Sequence, residues 1–242
     1  MSESRVMGLN HEKNHHIYSL TSIKGIASLW VVLYHIAEFM TNLLPEWSII
    51  NPLISCGHLA VPLFFILSGY LLSLRYLVTD SLLSFKSIIQ FLWLRLGRIY
   101  PVHIVTLLIC LAMTARRGWP IDEAHSVERF FSNCFLIQAW DYSFNLSWNY
   151  PSWSISSEWF AYICLPMFAV VLSRLRRTAL IALIVISCVL SVWVYVIEQS
   201  LVFKGIIVVI PTFIGGVVLG MLCQPSKSTI AVFKSVRYRK ND

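Results

Sequence analysis

Charge is what this sequence is short of. Only 13% of its 242 residues are Asp, Glu, Lys or Arg, whereas 57% are apolar. Water-soluble domains average about 25% charged and about 45–50% apolar. The composition excludes a soluble globular domain and points to a polytopic membrane protein. Paired cysteine is lacking too. Cys56, Cys110, Cys134, Cys164, Cys188 and Cys223 are scattered, most of them inside apolar runs, where a thiol behaves as a small hydrophobe. They imply neither a disulfide framework nor a metal site. There is no internal repeat, and paired repeats with broken helices are the usual mark of a secondary transporter. Residues 1–18 are polar and do not resemble a cleavable signal. Their His11, His15 and His16 lack other ligand types at useful spacing, so they are read as a disordered, solvated tail. No metal is expected.

Long hydrophobic runs are abundant. Six are firm, at residues 20–40, 54–78, 101–115, 154–172, 178–197 and 206–223, against the roughly 20 apolar residues that a spanning helix needs. A seventh, 130–140, is too short to cross upright and is read as re-entrant or interfacial. Residues 84–100 are apolar but carry Lys86, Arg95 and Arg98, the pattern of an interfacial amphipathic helix. Pro101 then opens the third span, and Pro62 is expected to kink the second. The expected fold is an all-α transmembrane bundle. It divides into a cytoplasmic tail (1–18), a membrane domain (19–223) and a basic cytoplasmic tail (224–242).

The net charge of +7 raises nucleic acid as a partner, and its distribution argues against that. With the N-terminus inside, 15 basic residues fall on the cytoplasmic side and only Arg116, Arg117, Arg129 and Lys204 outside. That is the positive-inside asymmetry. The basic charge orients the chain, both termini are expected in the cytoplasm, and no nucleic-acid partner is expected.

Ionisable groups inside such spans are costly and mark function. The first span holds Lys24, His35 and Glu38. Lys24 and His35 are 11 residues apart, about three helical turns and roughly 16 Å along one face. Glu38 lies within reach of His35 on a helix. Arg95 and Arg98 share a face at i, i+3 and serve either orientation or an anion clamp, since guanidinium suits bidentate phosphate binding. Ser154, Glu158 and Tyr162 recur every four residues on one helix face. Trp140, Tyr142, Phe144, Trp148, Tyr150 and Trp153 form either an aromatic belt at the headgroups or a platform for stacking carbohydrate.

Taken in order, these residues resemble acyltransferase family 3, the integral-membrane O-acyltransferases of surface polysaccharides. Lys24 and His35 match its basic-residue, ten-residue gap, histidine motif. Gly57, Val61, Phe64, Phe65, Ser68, Gly69 and Tyr70 match its second-span signature. Arg95, Arg98, Ile99 and Pro101 match its Arg-x-x-Arg-Ile-x-Pro pattern. Trp153, Ser154, Glu158 and Tyr162 match Trp-Ser-x-x-x-Glu-x-x-x-Tyr, and Pro211, Phe213 and Gly216 its Pro-x-Phe-x-x-Gly segment. Pro62 stands where many members carry aspartate. The family usually has roughly ten spans, so the chain resembles a fragment or a shortened member.

The resemblance implies transfer of an acetyl group from acetyl-CoA to a hydroxyl of a cell-surface or lipid-linked carbohydrate, in a bacterial inner membrane. It implies His35 as general base, with Lys24 and a carboxylate, Glu158 or Glu38, in catalytic support. Arg95 and Arg98 would hold the coenzyme phosphates, Ser68 and Tyr70 would position the acyl group, and Trp153 and Tyr162 would meet the acceptor. Direct transfer and a covalent acyl-histidine relay both stay open. A non-catalytic remnant is the rival reading, and a small-molecule transporter a more distant one.

Overall fold

The computed structural model describes residues 20, 22–37, 51–77, 82, 84–118, 122–140, 147–197 and 205–223. Among them every regular element is helical. Five helices are long and apolar enough to cross a membrane: Pro52–Leu77, Phe85–Arg116, Tyr150–Ser173, Arg177–Val194 and Gly205–Leu222. A sixth apolar helix, Ser22–Ala37 (α1), is shorter. The all-α polytopic class follows.

The chain divides into two compact units, Met1–Leu67 and Ser68–Asp242. The first contains α1, a short helix Asn51–Ser55 (α2), a 3-10 turn Cys56–Leu59 and the start of Ala60–Leu72 (α3). The Trp30 indole N–H donates to the Leu53 carbonyl at 2.9 Å, tying α1 to α2. Pro62, expected to kink this span, stands close to the point where the 3-10 turn gives way to α3. It falls in the first turn of α3, where a missing N–H removes no hydrogen bond that the helix needs.

The second unit holds the rest of α3, a π turn Ser73–Leu77, and five helices: Phe85–Arg116 (α4), Val127–Cys134 (α5), Trp153–Ser173 (α6), Arg177–Ile197 (α7) and Gly205–Leu222 (α8). Its core is α8, whose Val209, Phe213, Val217 and Val218 are fully buried among α6, α7 and the π turn. The Ser187 hydroxyl on α7 donates to the Pro211 carbonyl of α8.

One boundary needs correction. Residues 84–100 and 101–115 are not a surface helix followed by a span. They form one helix, α4, with Pro101 inside it. Ser84 caps it, its hydroxyl accepting the Ser87 N–H at 3.1 Å. The ring of a proline crowds the carbonyl four residues back, here that of Gly97, which is exposed and open. The lost bond is tolerated and the helix continues. At 32 residues it is about 48 Å long against a hydrocarbon core of about 30 Å. Lys86, Arg95 and Arg98 occupy the half nearer its N-terminus.

Close packing of α3 on α8 depends on Gly69. A Cβ there would lie 2.9 Å from the Val217 nitrogen and closer still to the Phe213 carbonyl oxygen. Both are backbone atoms and cannot swing aside. Gly69→Val is therefore expected to cost about 3 kcal/mol, read as loss of the monodisperse peak in detergent gel filtration. Gly97→Ala, in open space, should leave that peak unchanged.

Candidate functional site

In the first unit, α1 places Lys24 half-buried and His35 exposed. His35 Nδ1 lies 2.8 Å from the Val31 carbonyl oxygen. A carbonyl only accepts, so Nδ1 carries the proton and donates it, and in the neutral ring Nε2 holds the lone pair. The helix has thereby chosen the tautomer of its own histidine. The Tyr34 ring stands edge-on to His35 at 5.3 Å and tilted against His58 at 5.8 Å. His58 Nδ1 likewise donates to a carbonyl, that of Ser55, at 2.7 Å. Gly57 brings the 3-10 turn onto α1: a Cβ there would meet the Trp30 carbonyl oxygen and Tyr34 Cβ, both at 2.7 Å. His58 carries no spacing signal relative to His35 and is brought against Tyr34, the neighbour of His35 on α1, by the packing of the 3-10 turn. Glu38 lies outside the described residues.

In the second unit, α3, α4 and α6 gather Ser68, Arg95, Glu158 and Tyr162. Glu158, half-buried on α6, accepts the Ser68 hydroxyl at 3.4 Å and the Tyr162 hydroxyl one turn along. Tyr162 is 2% exposed, so the Glu158 carboxylate is the acceptor for a phenol sealed from solvent. Arg95 reaches the same cluster from α4. Its guanidinium carbon lies 5.6 Å from the ring centres of Tyr76 and Phe91 and 6.0 Å from that of Tyr162. It donates to the Tyr76 hydroxyl at 3.1 Å, and its Nε is buried with no partner among the described residues. The rings give the cation favourable electrostatics in place of a carboxylate. Arg98, one turn on, is exposed and outside the cluster. Tyr70 is half-buried on α3, its carbonyl accepting the Ser73 hydroxyl at 2.8 Å. Trp153 is half-buried at the start of α6, roughly 14 Å along the helix from Tyr162, so the structure does not bring these two together.

Beyond α4 a buried polar chain appears that no sequence spacing announces. His103, fully buried in α4, donates from Nε2 to the Asn133 carbonyl at 2.8 Å. The Asn133 side chain donates to the Arg129 carbonyl at 2.8 Å and to the Ser147 hydroxyl at 3.0 Å. It accepts the Ser152 hydroxyl at 3.3 Å. Gln138 donates to that hydroxyl and to the Ser152 carbonyl. Ser156 takes the Ala139 N–H and donates to the Leu136 carbonyl. His103 Nδ1 and Gln138 Oε1 are buried acceptors without a partner among the described residues. The sequence signal for His103 was an ionisable residue inside an apolar run. Asn133→Ala strands several of these groups at once. It is expected to cost about 3 kcal/mol, measured as a lowered unfolding midpoint in detergent. Among the described residues no three His, Cys, Asp or Glu gather in a way that could hold a metal ion.

A family model described as an acyltransferase domain matches residues 17–238. Among curated proteins the chain is 30% identical over 156 residues to acyltransferase MdmB of Streptomyces mycarofaciens. That alignment covers 62% of this chain and 38% of the relative, so the match spans well under half the length of that protein. No solved structure matches.

Proposed function

The chain belongs to this acyltransferase family, and on that premise we propose that it moves an acetyl group from acetyl-CoA to a hydroxyl of a cell-surface or lipid-linked carbohydrate. The observation that carries the proposal is the tautomer of His35. Nδ1 is engaged with Val31, so the Nε2 lone pair is the one presented for chemistry. A general base needs that lone pair within hydrogen-bond reach of the proton it removes, at a pH where imidazole is neutral.

In this reading the acceptor hydroxyl gives its proton to Nε2 as its oxygen attacks the thioester carbonyl. The C–O bond forms, the C–S bond breaks, and the departing thiolate takes the proton back from the imidazolium. Arg95 and Arg98 are the cations assigned to the coenzyme phosphates, on the strength of guanidinium chemistry and the family motif, and Lys24 is assigned to catalytic support by its own motif. Ser68 and Tyr70 are assigned to the acyl group and Trp153 to the acceptor, whereas the buried Tyr162, its hydroxyl held by Glu158, is assigned to positioning that carboxylate. The acidic support falls to Glu158, whose carboxylate already organises two hydroxyls. The bacterial inner membrane, with both termini cytoplasmic, is part of the same proposal and rests on the asymmetry of basic residues.

The test is transfer of radiolabelled acetyl from acetyl-CoA into lipid-linked and polysaccharide fractions by membranes containing the chain. Label that appears with wild type and vanishes with His35→Ala supports the enzyme. Wild-type membranes that never incorporate label above the vector control would instead make the chain a non-catalytic member.

A further inference from the structure

The segment between α4 and α6 is two-faced. Along α5 and its C-cap, Val127, Phe131 and Phe135 recur every four residues and are 53%, 56% and 69% exposed, so they form one exposed apolar stripe. On the opposite side Asn133 is fully buried and bonded to His103. Charge is graded along the same segment. Asp122, Glu123, Glu128 and Arg129 cluster at its start, and residues 130–140 contain no charged side chain. At the start, Asp122 caps the turn Glu123–His125. It takes the His125 ring at 2.6 Å, a hydrogen bond that holds its carboxyl below the usual range. That is the chemistry of a watery end.

The far end sits elsewhere. His103 lies 13 residues before Arg116, roughly 20 Å along α4, whereas the middle of a hydrocarbon core is about 15 Å from its edge. The Asn149 side chain donates to the Thr106 hydroxyl at 2.9 Å, fixing Asn149 at nearly the same level. Around that level α4 exposes Val102, Val105 and Ile109 within a candidate membrane span. Phe131 and Phe135 are as exposed as these α4 residues.

We propose that the second half of α5 and the turn after it form a re-entrant element, inserted into the bilayer from the Arg116 end, with Phe131, Phe135 and Ile137 against lipid acyl chains. Non-helical backbone survives at such depth only when protein satisfies its polar groups. Here protein does so. The Ile137 N–H closes on the Ser132 carbonyl at 3.0 Å, across a left-handed Leu136 at φ 58°. The Leu136 carbonyl and the Ala139 N–H are both taken by Ser156. The proposal is independent of the acyl-transfer reading, because it concerns only where this segment sits.

Single cysteines at Asp122, Phe131 and Phe135 in the full chain, reconstituted in proteoliposomes, test it. A membrane-impermeant maleimide is admitted to both faces, and labelling is located by peptide mass so that native cysteines need not be removed. Asp122→Cys is expected to label at least ten-fold faster than Phe131→Cys or Phe135→Cys. A permeant bimane placed at those two positions should be quenched by lipids carrying a nitroxide on the acyl chain. Equal labelling at all three positions overturns the proposal. So does slow labelling without quenching, which would mean that protein and not lipid covers the stripe. Both phenylalanines are exposed, so neither variant should disturb folding, and an unchanged gel-filtration profile checks this.

Discussion

Replacing His35 by alanine is expected to lower acetyl transfer about 10²- to 10⁴-fold, the range that a positioned general base contributes. On the proposed mechanism the loss should appear in kcat, with KM for acetyl-CoA little changed, because there the proton moves only as the acceptor attacks. His35→Gln separates two explanations. Glutamine can still hydrogen-bond but cannot take a proton at neutral pH, so a base role leaves it as inactive as alanine, whereas a purely orienting role leaves it partly active. His35 is exposed on α1 and its one described hydrogen bond is local, to Val31. Neither substitution should change the unfolding midpoint by more than about 0.5 kcal/mol. A variant that transfers acetyl at more than a tenth of the wild-type rate would remove His35 from the chemistry.

How much of this the sequence could show differs from residue to residue. The helices were legible because lipid leaves few options: an apolar run of about 20 residues can only be satisfied as a helix. The Glu158–Tyr162 contact was legible for the same local reason, since i, i+4 side chains meet on a helix. The continuity of α4 was not. A run carrying Lys86, Arg95 and Arg98 has the composition of a surface helix, and a proline after it signals a break. Only the open space at Gly97 shows why the helix continues through Pro101. Arg95 shows a second limit. Its i, i+3 relation to Arg98 is local, but its inward turn depends on Tyr76 and Phe91, which α4 and the π turn bring together. The link from His103 to Asn133 joins two elements 30 residues apart, and no periodicity within either one encodes it.

Glu158 should produce the other large effect, and two substitutions divide it into parts. Glu158→Gln keeps an oxygen for the Ser68 and Tyr162 hydroxyls and removes only the charge. Glu158→Ala removes both and leaves the buried Tyr162 phenol without its acceptor. A stranded buried hydroxyl costs about 1–3 kcal/mol, so the alanine variant should unfold measurably earlier and the glutamine variant much less so. Activity should not follow that order. If the carboxylate serves the reaction through its charge, Glu158→Gln should lose about 100-fold in kcat while remaining folded. Arg95 adds a further check. Among the described residues its guanidinium has no carboxylate within ion-pair distance and is held by three rings, one of them the Tyr162 ring that Glu158 fixes. Removing the Glu158 charge should therefore also weaken the hold on Arg95. A double-mutant cycle of Glu158→Gln with Arg95→Gln, read in unfolding midpoints, should show coupling above about 0.5 kcal/mol. Strict additivity would mean that the ring cluster and the carboxylate act separately, and the case for one connected site from Ser68 to Arg95 would fail.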